Sequence, residues 1–317
     1  MSAVVRAPGK LLLTGAWAVL EGAPAVVLAV DRFAEAGPGA PSTMPEVVAV
    51  ARRLDAPIPA VDVSALGDRG RKLGLGSSAA ASVAAAGAIF HARGLALDPA
   101  TVLEPALAAH RAIQPRGSGV DVAASAFGGA IVAQRLGTHL DVASCAVPGD
   151  LVWSAFALSR SASTRETLDR FAARRSERET ELAFSALTEA AVVGAESFRS
   201  GRLARFLEAA QAHVDALEQL GHALDLPLVP PELALARDLL QAAPRSSPMP
   251  TKTSPIVLLP SGAGGGDTVL WLGARAPTDH ETLALRGVGM ELLSLALSPR
   301  GVHAAPSIGV GRGADRN

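Results

Sequence analysis

Lys72-Leu-Gly-Leu-Gly-Ser-Ser-Ala79 opens a run of small and apolar residues that continues to Ala92. Two glycines let a backbone close on an anion. The helix expected over Ala79–Arg93, stopped by Gly94, turns free N–H groups and the positive end of its dipole toward that anion. Ser77 and Ser78 add hydroxyls, and a serine oxygen also suits Mg²⁺. The bland reading is a serine-capped helix. A dinucleotide-binding fingerprint needs an apolar strand just before Gly74, where Asp68-Arg69-Gly70-Arg71-Lys72 stands instead. A Walker A loop needs Gly-Lys-Ser/Thr after a spaced glycine, which Gly9-Lys10-Leu11 does not supply.

Three further stretches share this character. Pro260-Ser-Gly-Ala-Gly-Gly-Gly-Asp267 puts four glycines in six positions between two apolar runs. A plain hairpin needs only two turn residues, so the excess points to backbone lying against a ligand. Gly117-Ser-Gly-Val-Asp121 precedes a short helix. Its aspartate reads either as an N-cap or as a fixed carboxylate facing a cleft. Ala7-Pro-Gly-Lys10 opens a strand. The chain has only three lysines, Lys10, Lys72 and Lys252, against 26 arginines. Arginine is its generic cation, so a retained lysine marks a place for a compact ammonium.

Composition narrows the class. The 317 residues carry a net charge of −1 and are 49% apolar, which suits two packed lobes. Neutral charge and eleven aromatic residues without a tyrosine argue against nucleic acid as a partner. Cys145 is the only cysteine, which excludes an internal disulfide and leads us to expect a cytoplasmic protein. No membrane segment is expected. Gly15 and Glu21 interrupt the N-terminal apolar run, and Leu73–Ala92, although uncharged, is mostly Ala, Ser and Gly.

Strands are expected at Val4–Val5, Leu11–Thr14 and Ala25–Val30, separated by turns at Pro-Gly and Gly-Ala-Pro, and at Ala130–Gln134, Leu151–Leu158, Ile256–Leu259 and Thr268–Leu272. Helices are expected near Pro45–Leu54, over Pro99–Ile113 and Gly119–Phe127, from Thr164 to about Gln241, and over Thr278–Leu297. Leu203, Phe206, Leu207, Ala210, Val214 and Leu217 lie on one face, and the charge-dense Arg165–Glu181 reads as solvated helix surface. Residues 244–255 read as a Pro/Ser-rich loop. With no regular βαβ period, the class is α+β.

Taken in order, Ala-Pro-Gly-Lys-Leu-Leu-Leu-Thr-Gly, Gly-Leu-Gly-Ser-Ser-Ala-Ala, Gly-Ser-Gly-Val-Asp and Pro-Ser-Gly-Ala-Gly-Gly-Gly-Asp resemble the GHMP kinases over roughly residues 3–300. The resemblance implies a two-lobed fold with the active site between an N-terminal lobe (1–150) and a C-terminal lobe (151–317). It implies ATP and Mg²⁺ as cofactors, a small-molecule acceptor, and a monomer or homodimer. By the same resemblance, Lys10 and Asp121 are the catalytic pair. Gly74, Leu75, Gly76, Ser77, Ser78 and Ala79 hold ATP, with Ser78 on the metal. Lys10, Ser118, Gly119, Ser161, Ser163, Ser261, Gly262, Gly264, Gly265, Gly266 and Asp267 line the acceptor side.

Leu20-Glu-Gly-Ala-Pro-Ala-Val-Val-Leu-Ala-Val-Asp31 and His110-x-x-x-Gln114 resemble the branch that phosphorylates 5-phosphomevalonate. Mevalonate kinases carry a metal-binding Glu eleven residues before the aspartate, where this chain has His110. A mevalonate or sugar kinase of the same fold, a non-catalytic binding protein and the related diphosphomevalonate decarboxylase are the alternatives. Two departures stand out. Ala16-Trp17 replaces a Glu followed by an aromatic or His, and Leu259 stands where that branch has Lys.

Overall fold

The computed structural model describes residues 4–68, 70–158, 164–242, 255–264 and 267–305. The first half holds β1 (Val5–Thr14), β2 (Pro24–Gly37), α1 (Pro45–Arg53), β3 (Ala60–Asp62), β4 (Gly67–Asp68), β5 (Arg71–Lys72), α2 (Ser77–Ala92), α3 (Pro99–Ile113), α4 (Val120–Phe127), β6 (Ala130–Leu136) and β7 (His139–Cys145). The second half holds β8 (Val152–Leu158), α5 (Thr164–Arg174), α6 (Arg178–Arg199), α7 (Leu203–Leu224), α8 (Pro231–Ala242), β9 (Val257–Pro260), β10 (Thr268–Gly273), α9 (Asp279–Gly287), β11 (Met290–Leu293) and β12 (His303–Ala304).

Two antiparallel sheets carry the molecule. One runs β12-β1-β2-β6-β7 with β3 added on β2, and the other runs β11-β8-β10-β9. The α+β class therefore holds, and the helices pack around these sheets. Ala79–Ala86 of α2 are buried without exception, because alanine and serine side chains let neighbouring elements approach from all sides. The uncharged stretch is thus a core helix. Among the described residues no helix is long and apolar enough to cross a membrane. Residues 296–305 return to the first sheet, through the Val30–Leu297 bridge and the pairing of β12 with β1.

Two expectations need correction. Pro8-Gly9 is no turn between strands: β1 runs straight through it and shifts register against β2 there. The extra residues at this irregularity, Asp31 and Arg32, are on β2, and proline, lacking an N–H, is tolerated where the ladder is interrupted. Gly9 has no alternative, since a Cβ would lie 2.6 Å from Leu66 Cδ2 and 2.9 Å from the Leu75 carbonyl oxygen.

The expected helix Thr278–Leu297 also breaks. α9 starts with a capping box between Thr278 and Glu281 and ends at Gly287. Gly289 turns the chain at φ 85°, and Met290–Leu293 pairs with β8. The free edge of β8 offers hydrogen bonds that a solvated helix end cannot match, and local periodicity does not report a distant strand edge. β7 is a strand that the pattern does not announce; its face alternates too weakly for a clear period of two. The loop expected at 244–255 lies almost wholly outside the described residues.

Candidate active site

β1 runs alongside the first glycine loop. Lys10 N–H donates to the Leu75 carbonyl at 2.9 Å, which clamps the loop to the strand. The Lys10 ammonium donates to the Gly74 carbonyl at 2.8 Å. Gly74 and Gly76 hold positive φ of 65° and 77°, a region that costs any other residue about 1–2 kcal/mol. A Cβ on Gly76 would press on Lys10 Cγ at 3.1 Å, and one on Gly74 would meet Asp267 Cβ at 2.8 Å. The two glycine-rich loops therefore touch.

α2 begins at Ser77, with Gly76 as a left-handed N-cap and no side-chain cap. The serine-capped reading fails: the N–H groups of the first turn stay open to a ligand. Asp121 is no cap either. Gly119 occupies that place, and Asp121 sits in the first turn of α4 with its Oδ1 accepting only from the adjacent Val122 N–H at 3.0 Å. The Ser118 hydroxyl faces the same helix start, accepting from Val120 N–H at 3.5 Å. Gly119 has a packing reason, since a Cβ there would lie 2.4 Å from Leu107 Cδ1.

Burial holds the Lys10 ammonium below its ordinary pKa, while the nearby charges of Asp121 and Asp267 work against that depression. The arrangement brings one desolvated ammonium, two carboxylates and two glycine loops to a single point.

The second loop is pinned by contacts from outside it. Ser261 Oγ accepts from Leu12 N–H at 3.0 Å, and the Ala263 carbonyl accepts from the Trp17 indole at 2.9 Å. Gly264 lies against the Leu228 backbone, with 2.3 Å from an added Cβ to its carbonyl oxygen. Gly262 faces the Lys10 ammonium at 4.0 Å by the same measure. Trp17 reaches Ala263 from a strained turn. Its φ is 65° and ψ −56°, and Ala18 N–H donates to the Ala16 carbonyl at 2.7 Å, which is a γ-turn. Its ring packs 5.2 Å from Phe171 of α5, centroid to centroid. Non-glycine residues hold such dihedrals only where the surroundings force them, often at functional sites.

A polar cluster surrounds Ser78, and of its members only Glu46 is marked by no sequence motif. Gln114 Nε2 donates to Ser78 Oγ at 3.2 Å and to Glu46 Oε1 at 3.1 Å. His110 Nε2 stands 3.4 Å from Ser78 Oγ. Nothing in the local spacing singles out Glu46; only the docking of α1 against α2 and α3 brings it here. Leu259 is a fully buried core residue of β9, so an apolar side chain fills the place of the expected cation. Arg116 is paired with Asp169. Ser161, Ser163, Gly265 and Gly266 lie outside the described residues.

Residues 44–129 match the GHMP kinases N terminal domain. A phosphomevalonate kinase from a Streptomyces species is 32% identical over a match covering 41% of this chain and 49% of that protein, so the match spans about half the relative's length. The crystal structure of a Listeria innocua protein superposes with a TM-score of 0.78 at 18% identity, covering 95% of this chain and 99% of that one. Streptococcus pneumoniae phosphomevalonate kinase, solved with phosphomevalonate and AMPPNP, gives a TM-score of 0.72 at 17% identity over 93% and 99%. Residues 44–129 are therefore similar to the GHMP kinases N terminal domain, and the chain as a whole has the fold of these solved structures.

Proposed function

We propose that the protein is an ATP-dependent kinase that phosphorylates a small anionic metabolite, 5-phosphomevalonate, to its diphosphate. The observation that carries this reading is the Lys10 ammonium. It is desolvated, flanked by Asp121 and Asp267, and set where the two glycine loops meet. In-line transfer of a phosphoryl group passes through a loose transition state, so placing charge matters more than covalent chemistry. The open first turn of α2 and the Ser77 hydroxyl would hold the β- and γ-phosphates. Lys10 would neutralise the group in flight, and Asp121 and Asp267 would keep that ammonium charged and aimed. A phosphorylated acceptor is already ionised near neutral pH, so Asp121 acts as an orienting charge rather than a strong base. The hard oxygen of Ser78 fits Mg²⁺, and a metal held there would supply positive charge toward the nucleotide phosphates.

Buried Leu259 favours a second reading. One cation fewer suits a less charged acceptor, such as mevalonate. Comparing kcat/KM for phosphomevalonate, mevalonate and several sugar phosphates separates the two. If mevalonate or a sugar leads by about tenfold, roughly 1.4 kcal/mol in the barrier, the phosphomevalonate reading is wrong and the kinase reading stands.

A further inference from the structure

Glu46 is a buried carboxylate without a cation. It is 7% exposed, and its one side-chain hydrogen bond comes from Gln114. Among the described residues no Lys or Arg pairs with it, in a chain that spends 26 arginines elsewhere. It lies in the first turn of α1, where the helix dipole offsets part of the cost. That offset is at most about 1–2 kcal/mol, against several for a carboxylate withdrawn from water. Pro45 at the helix start also removes one of the N–H groups that could have solvated it.

The same Gln114 nitrogen that holds Glu46 Oε1 also holds Ser78 Oγ, so carboxylate and hydroxyl stand within two hydrogen bonds of one another. On the other side of Ser78 is His110, 1% exposed, with an Nδ1 that has no partner among the described residues. An imidazole nitrogen is a poor ligand for Mg²⁺, which takes oxygen, and it brings no negative charge. We propose that Glu46, delivered from α1, supplies the carboxylate that holds the nucleotide-bound Mg²⁺ together with Ser78, a task that His110 cannot perform. This rests on the kinase reading above. It adds that the negative ligand comes from a different helix than the motif spacing points to.

Calorimetry of ADP binding, with Mg²⁺ and with EDTA, tests this on the full chain. The wild type is expected to bind Mg·ADP at least about tenfold more tightly than metal-free ADP. Glu46→Gln keeps the shape and the bond to Gln114. It is expected to shrink that ratio below about threefold while leaving metal-free affinity within about twofold. Its thermal midpoint should not fall, because an uncompensated buried charge has been removed. His110→Ala is expected to leave the Mg²⁺ ratio in place. Water-proton relaxation by Mn²⁺·ADP on the protein should rise in Glu46→Gln, as water takes the vacated ligand position. The proposal is overturned if Glu46→Gln keeps the full Mg²⁺ ratio, if it loses affinity equally with and without metal, or if His110→Ala alone abolishes the metal effect. If the wild type binds no ADP under either condition, the kinase reading itself falls and takes this assignment with it.

Discussion

The two glycine-rich loops have similar composition and opposite construction. The loop at residues 74–76 is local. Its shape follows from two left-handed glycines and the helix they start, and the strand carrying Lys10 anchors it. The loop at residues 261–267 is assembled from afar. Leu12 and Trp17 from the start of the chain and Leu228 from its second half hold its described backbone. A helix start offers several N–H groups in fixed directions, so it needs little support. A strand-to-strand connection offers no such set and must be docked. On the proposed reading the first loop is a ready phosphate site, whereas the second is placed by the rest of the molecule.

Removing the group that joins the loops should have the largest effect. Lys10→Met is expected to lower the single-turnover rate by at least about a thousandfold, several kcal/mol of transition-state stabilisation. A rate within threefold of wild type would sink the role. The same variant has a pH signature in stability. The folded-state pKa of Lys10 is lowered, so above that value and up to the ordinary 10.5 the unfolded chain binds more protons. This group's penalty is therefore full at lower pH and is relieved as pH rises through that window. Lys10→Met should remove that upward slope from a plot of unfolding free energy against pH.

Gly264→Ala attacks the second loop alone. At φ 87°, with the Leu228 carbonyl 2.3 Å from the new Cβ, it should cost about 2–3 kcal/mol locally. Acceptor kcat/KM should fall at least about tenfold while ADP affinity stays within about twofold. Equal loss of both would mean that the loops are not separable. Gly262→Ala is the milder control. Its φ of 94° is strained, but the added Cβ stays 4.0 Å from Lys10 Nζ, so about 1 kcal/mol is expected.

Ser78→Ala addresses the first loop. Mg·ADP binding should weaken by about tenfold, with acceptor KM nearly unchanged. An unaltered Mg²⁺ titration would remove Ser78 from the metal site. The smallest effect expected is that of Trp17→Phe, which keeps the ring packing on Phe171 and loses the indole bond to Ala263, worth about 1 kcal/mol. Acceptor KM should rise about two- to fivefold, and ADP binding should not move.

Much of this architecture is legible in the order of the residues. The helix over Pro99–Ile113 runs between the bounds expected of it, because Asp98 caps it and Pro99 starts it. The strands around the second loop, and the helical run after Thr164, follow equally from local pattern. Glu46 is not legible in the same way. A single glutamate in a short surface-facing helix carries no signal until the helix is docked. Trp17 stands out in the sequence only as a departure, because a γ-turn and a bond to a loop some 246 residues away leave no trace in local spacing.

Which backbone positions are left-handed, and where helices begin, is written locally, since glycine, proline and capping residues act within a few residues of themselves. Those residues set the phosphate loop and the group at its mouth, Lys10. Long-range packing is what carries β1 straight through Pro8-Gly9 with a register shift against β2 and draws Met290–Leu293 from its helix to the edge of β8. Packing also puts Leu259 in the core and brings Glu46 beside Ser78. Each of these depends on a partner far away in the chain, and the burial and hydrogen bonds exchanged with that partner outweigh preferences of a few tenths of a kcal/mol per residue.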